Sequence, residues 1–238
     1  MSKPTISEQQ AKLFLAISER SAAPVPTADE YGEALYELAL WLQYFRSVAE
    51  GDAATELLDG ILAAALEAVA YAVLGLARAA IAAIRLQLEL VIGYTYFRDH
   101  PVEWARVGRT GDGFMMFTAV DAYHRDIDRL FKPRLALVEQ AAGTTLGSVY
   151  RLLSAHVHAQ SPLTLPRGSE LASLVADQAT ARSIVEAQRR ACEALSNYLI
   201  AAFADRWPEL PAAIVTRVNR MMTPAQRRSF FRPDTAPG

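Results

Sequence analysis

The run ILAAALEAVAYAVLGLARAAIAAI, residues 61–84, is the most apolar stretch of the chain, and its reading decides the fold class. Glu67 and Arg78 lie inside it, and its longest charge-free run, Ala68 to Ala77, has ten residues. At about 1.5 Å of rise per residue, such a run falls short of a bilayer core of about 30 Å. The stretch is therefore expected to be a buried central helix of a soluble protein, with no membrane contact. Its alanines favour helix and let neighbours pack closely on several sides. This helix is expected to open near Asp52 and run to about Phe97, with Gly60 and Gly75 as candidate bends or close crossings.

Helix signals continue in both directions. Toward the N-terminus, residues 6–20 carry loosely spaced Leu13, Leu15 and Ile17, and two prolines then mark a loop over 21–26. Thr27 and Glu30 have the spacing of a capping box, in which the hydroxyl takes an orphan N–H and the carboxylate reaches back. Behind them Leu35, Leu38, Leu42 and Phe45 form one buried stripe at three-four spacing. Toward the C-terminus, Asp99-His100-Pro101 ends the long helix, because proline disfavours helix at the residue before it. A short helix over 102–107 leads to a loop at Gly108, Gly111 and Gly113. Further helices are expected over 114–130, 133–140, 146–159, 169–207 and 211–221, with a last one capped at Thr223-Pro224. Residues 162–168 read as a loop, and 233–238 as a frayed end. No alternating strand pattern, glycine-rich phosphate loop or internal repeat is present. The expected fold is an all-α multi-helix bundle with long central helices: an N-terminal helix and loop (1–26), a core (27–207) and basic C-terminal helices with a tail (208–238).

Composition narrows the function classes. Apolar residues make up 52% of the 238, and charged residues 21%, enough for both a large core and a soluble surface. The net charge of −2 gives no strong overall field for nucleic acid or membrane. The charge is uneven, however. Nine acids face only Arg46 between Thr27 and Tyr71, whereas six arginines face Glu209 and Asp234 from Arg206 onward. These are either two solvated faces or a complementary pair within a dimer, and the basic end also suits a phosphate backbone. Cys192 is the only cysteine, so no internal disulfide forms, and a cytoplasmic setting with Cys192 as a small core residue is expected. Three lysines beside twenty-one arginines, with many alanines, point to a GC-rich bacterial genome. The first residues, MSKPTISE, lack the basic-then-apolar pattern of a signal peptide.

Most enzyme classes lack support. The four histidines, His100, His124, His156 and His158, show no zinc spacing with Cys192, and neither a His-Glu-x-x-His motif nor a Gly-x-Ser-x-Gly elbow occurs. No metal or cofactor is expected. One cluster remains, Tyr150-Arg151-Leu-Leu-Ser154-Ala-His156-Val-His158. Its arginine and histidines resemble the Arg-x4-6-His motif of HEPN-domain ribonucleases. The resemblance covers roughly residues 52–206, and only the short motif gives it specificity. It implies an all-helical, dimeric bacterial protein of a toxin–antitoxin or anti-phage defence system. It further implies that arginine and histidine cut RNA at the dimer groove without metal. A polar residue often follows the arginine in that family, whereas Leu152 follows it here. Helical geometry helps choose the histidine: His156 lies about 140° around the helix from Arg151, and His158 within about 20° of its face. Tyr150, Arg151, Ser154 and His158 thus form one side, with Arg151 and His158 as the candidate catalytic pair and His156 as the other option. Histidine suits transfer of the 2′-hydroxyl proton, and arginine suits a charged transition state. The plainer alternative pairs Arg151 with a carboxylate and makes His158 a helix cap.

Two other groups are candidates. Arg85 and Glu89 are spaced to pair on the long helix, and Tyr94, Tyr96, Phe97, Arg98, Asp99 and His100 follow. Glu89 is a candidate to hold Arg151, with Tyr96 or His100 lining a pocket; otherwise Arg85–Glu89 is a surface pair and the aromatics are core. His124, among charges, is expected to be exposed. At the C-terminus, Arg220, Arg227, Arg228, Phe230, Phe231 and Arg232 mix charge with aromatics. That pattern suits single-stranded nucleic acid or, more readily, an amphipathic clasp on a partner protein. A non-catalytic helical module binding such a partner is the second functional reading.

Overall fold

The computed structural model describes residues 5–22, 26, 28–165 and 168–232. Among these it contains eleven α-helices and no strand. In chain order they are α1 (Ile6–Ala22), α2 (Ala28–Val48), α3 (Glu56–Val73), α4 (Ala77–Phe97), α5 (Pro101–Thr110), α6 (Phe117–Ile127), α7 (Phe131–Ala142), α8 (Leu146–Val157), α9 (Gln178–Ala202), α10 (Ala212–Met221) and α11 (Pro224–Phe231). Short 3-10 turns cover Leu171–Leu174 and Ala204–Glu209. The expected all-α multi-helix fold is what the chain adopts. The expected Thr27 capping box and the frayed end at 233–238 lie outside the described residues.

Helix α9 is the axis of the bundle, and every residue from Ala194 to Ala201 on it is buried. Helices α2, α4, α7 and α8 pack around it, and α3 lies along α4. One end of the core is aromatic: the Phe45 ring lies 5.0 Å from Tyr94 and 5.4 Å from Phe203, with Trp41 5.7 Å away. The middle is held by an amide pair, in which Gln188 donates to the Gln87 carbonyl at 2.7 Å and Gln87 donates back at 3.1 Å. Both side chains are buried, so each fills a need that the other alone would leave open. Cys192 is buried as expected, and burial pushes its thiol up to about 12.

The long second helix of the sequence reading is in fact a hairpin. It breaks at Gly75, which has φ +77°, and the Gly75 carbonyl accepts the Ala176 N–H at 2.8 Å. A Cβ at Gly75 would stand 2.8 Å from Val175 Cγ1. Left-handed backbone costs a side-chain-bearing residue about 1–2 kcal/mol, and the contact adds to it. Gly75→Ala is therefore expected to lose about 2–3 kcal/mol in a urea titration. An unchanged midpoint would contradict this account of the turn.

By length and composition α4 is apolar enough to cross a membrane, with a mean hydropathy of 1.2 over its most apolar window, 61% of which is buried inside the fold. Gly93 on α4 makes room for a loop: a Cβ there would meet the Phe114 ring at 2.8 Å. The single helix expected over 169–207 is three elements. Asp177 opens α9 by accepting the Thr180 N–H at 2.8 Å, and the chain turns 3-10 before Pro208. The expected last helix is present, with Thr223 and Gln226 completing a capping box. Helices α10 and α11 pack on α7, while α1 buries no residue and rests on the Leu171–Leu174 turn.

Candidate functional site

Helix α8 carries the Arg-His cluster, and local chemistry sets where it starts. Thr145 accepts the Ser148 N–H at 3.1 Å, and the Glu139 carboxylate accepts the Leu146 N–H at 3.2 Å. These two groups satisfy donors that a helix start leaves open. Leu146, Val149 and Leu153 then bury one stripe in the core.

A second stripe, Tyr150 and Ser154, faces α4. There Arg85 donates through Nε to Ser154 Oγ at 3.0 Å and through Nη2 to the Tyr150 hydroxyl at 2.8 Å. The Tyr150 hydroxyl donates to Glu89 at 3.0 Å, and Arg85 and Glu89 pair at 2.7 Å. Both charged side chains are only 15% exposed, so this is a closed seam and not the loose surface pair of the plainer reading. Farther along, Arg78 donates to the Val157 carbonyl at 2.6 Å, which ties down the C-terminal end of α8.

The seam corrects the expected site. Tyr150 and Ser154 are consumed by Arg85, and Glu89 holds Arg85 and Tyr150 instead of Arg151. The reason is angular. On a helix, positions 150 and 154 lie about 40° apart and point at α4, while 151 is rotated about 60–100° from them and 158 lies beyond the helix end as its C-cap. Arg151 and His158 are both exposed. Arg151 reaches back along its own helix, Nε to the Gly147 carbonyl at 3.3 Å, and no described carboxylate pairs with it. His158 is the C-cap residue, donating its N–H to the Ser154 carbonyl at 2.9 Å. Ala159 follows at φ +51°, a left-handed conformation that is uncommon for a non-glycine residue. His156 is half-buried on the last turn. Neither Arg151 nor His158 lines the clefts at α11, at the start of α8, between α2 and α10, or around His124.

The other histidines are structural. His124 is not exposed as expected: its Nε2 lies 3.0 Å from Thr95 Oγ1, and its ring packs against Phe131 and Tyr198. Burial lowers its pKa below the ordinary 6.5, against the pull of Asp121, Asp128 and Asp99. The folded protein thus keeps His124 neutral where the unfolded chain would bind a proton. The sign follows: the contribution is complete above pH 6.5 and is lost as pH falls through the lowered value. The difference in urea midpoint between pH 7.5 and pH 5.5 is expected to shrink in His124→Gln; an equal difference in both proteins would contradict this. His100 stacks on Tyr96, with ring centroids 3.9 Å apart, and shares a 2.6 Å hydrogen bond with the Tyr96 carbonyl. Tyr94 and Phe97 are fully buried core.

The C-terminal set divides. Phe230 is fully buried, edge-on to Trp207 at 5.9 Å, and its carbonyl accepts from Arg134 at 3.4 Å. The expected clasp is therefore closed on the protein's own α7, and Phe230 is not presented to a partner. Arg134, itself buried, pairs with Asp205 at 2.7 Å and so ties α7 to the turn after α9. Phe231 remains 42% exposed. With Arg227, Arg228 and Arg232 it lines an open cleft of about 760 Å³. Arg220 lines a different cleft, beside Tyr36 and Arg217. Among the described residues no carboxylate pairs with any of these four arginines, and no three His, Cys, Asp or Glu side chains converge as a metal-holding group.

Sequence reading missed a cleft at the start of α8, where Phe117, Glu139, Gly147 and Tyr198 come together from four helices. No local pattern announces it, since these residues are spread over about eighty positions. Comparison with protein-family models, with curated proteins and with solved structures finds no match for this chain.

Proposed function

We propose that the protein is a HEPN-like ribonuclease that cuts RNA with Arg151 and His158, in a groove completed by a second copy of the chain. One observation carries this reading: on a helix whose other faces pack into the core and into the α4 seam, Arg151 and the C-cap residue His158 stand exposed, and no described carboxylate pairs with either. In the reaction, the His158 imidazole takes the 2′-hydroxyl proton, and the 2′-oxygen attacks the adjacent phosphorus. The bond to the 5′-oxygen breaks, and that oxygen takes a proton from the corresponding histidine of the other copy. Arg151 steadies the extra negative charge at phosphorus. Two copies around a twofold axis supply both proton-transfer roles, and the openness of the site in one chain agrees with that need. The motif's resemblance extends the proposal to a bacterial toxin–antitoxin or anti-phage system in the cytoplasm, with no cofactor.

The purified protein tests it directly when incubated with RNA in EDTA. Fragments ending in 2′,3′-cyclic phosphate and 5′-hydroxyl are expected, and intact RNA would refute catalysis. A second reading rests on a different observation, the four arginines on and just after α10 and α11 that pair with no described carboxylate: a non-catalytic module that binds nucleic acid or a protein partner. Under that reading RNA binds in a salt-dependent way but stays whole.

A further inference from the structure

The cleft missed by sequence reading adjoins Arg151. Gly147 lines it, and the Gly147 carbonyl is the group that Arg151 Nε contacts. We propose that this cleft is a base-recognition pocket that takes one unstacked guanine of an RNA strand. The inference rests on the ribonuclease reading for its substrate, and on the cleft's own chemistry for the base.

The volume is about 290 Å³, space for roughly ten waters at liquid density. That is room for one planar base. Phe117 supplies an aromatic wall, its ring held by Tyr150 at 5.1 Å; RNA readers commonly stack splayed-out bases on such rings. Two polar groups remain unfilled. Glu139 spends one oxygen on the Leu146 N–H, and a carboxylate has about four acceptor positions in all. Burial raises the Glu139 pKa, opposed by the Leu146 N–H and Arg125. Tyr198 lines the cleft with a fully buried side chain whose hydroxyl has no hydrogen-bond partner. Burial pushes that phenol well up, so it stays a protonated donor. A buried hydroxyl left unpaired costs about 1–3 kcal/mol, which a ligand acceptor reaching it would recover. Arg125, also at the cleft, is already paired with Asp121 at 2.7 Å.

An acceptor-only carboxylate beside a hydroxyl donor selects among the bases. Guanine presents two adjacent donors, N1–H and the 2-amino group, which match one carboxylate, and its O6 accepts from a hydroxyl. Adenine and cytosine place a ring-nitrogen acceptor where the carboxylate needs a donor. Uracil flanks its single N3–H with two carbonyl oxygens that the carboxylate repels. Guanine alone fits without an unpaired or repelled atom, and leaving buried polar groups unpaired is what makes such sites discriminate.

Calorimetric titration of the purified protein with guanosine and adenosine 5′-monophosphates tests the pocket without requiring cleavage, since the shared phosphate cancels in the comparison. Guanosine monophosphate is expected to bind at least about tenfold tighter, the effect of one lost good hydrogen-bonding arrangement. Glu139→Gln, which keeps a carbonyl for the Leu146 N–H, is expected to abolish the preference. Tyr198→Phe, which removes only the unpartnered hydroxyl, is expected to weaken guanosine binding severalfold without lowering the melting temperature. Equal binding of the two nucleotides, or a preference that survives Glu139→Gln, overturns the proposal. Guanosine preference in a protein that leaves RNA whole keeps the pocket and removes the nuclease; cutting with no guanosine preference does the reverse.

Discussion

Arg151→Ala and His158→Ala are each expected to slow RNA cleavage by at least about a hundredfold while leaving the melting curve unchanged. The size of the loss follows from the roles. A positioned general acid–base contributes about 10²–10⁴ in rate, and a donor aimed at developing charge about 10²–10³. The unchanged melting curve follows from the surroundings. Both side chains are exposed, and the hydrogen bond Arg151 makes among the described residues is to a carbonyl on its own helix. Exposed substitutions away from caps and core usually change stability by less than about 0.5 kcal/mol. His158 is a cap only through its backbone N–H, which alanine retains. This combination of intact fold and lost activity separates the pair from the Arg85 seam beside it. Removing Arg85 would strand the nearly buried Glu89 and Ser154 and so should lower stability and activity together. His156→Ala, about 140° around the helix from Arg151, is expected to cut RNA nearly as wild type does.

The second large effect concerns the C-terminal helix. Phe230→Ala is expected to cost about 3–5 kcal/mol in chemical denaturation, the usual loss for truncating a fully buried phenylalanine. The ring fills space beside Trp207, and the Arg134 guanidinium lies 5.9 Å from its centroid. Without the ring, α11 loses its main apolar hold on α7, and a buried arginine is left beside a void. Phe231→Ala, one residue on and 42% exposed, is expected to cost less than about 1 kcal/mol. Equal losses from the two would mean that α11 is not docked as described. The same contrast bears on partner binding: Phe230 is covered, so a nucleic-acid role for this end rests on Phe231, the three arginines around the open cleft and the exposed Arg220.

Helix content was legible in the sequence because it depends on local signals: alanine-rich stretches, three-four spacing and the Thr223-Pro224 start. The breaks were less so. Gly75 is visible as a weak point, but the turn is enforced by Val175 and Ala176, a hundred residues away, which close on its backbone. The same limit governs the site. The helical period correctly separates His156 from Arg151 and His158, yet it cannot say which neighbour faces Tyr150 and Ser154. That α4 brings Arg85 there is a tertiary fact, and it turns two expected site residues into structural ones. His124 shows the reverse error. Its charged sequence neighbours suggest solvent, but its own face of α6 meets Thr95 and Phe131. The Phe230-Phe231 pair, read as part of a clasp on a partner, divides: the protein itself covers Phe230 and leaves Phe231 exposed.

The rate of RNA cleavage by Arg151→Ala/His158→Ala, set beside the two single variants, tests the central claim most directly. Groups that act as one catalytic unit do not add: once either is gone, removing the other costs little more. The double variant is therefore expected to be about as slow as the slower single variant. A single variant that cuts RNA at the wild-type rate, or losses that multiply in the double variant, would contradict a shared site on the outer face of α8.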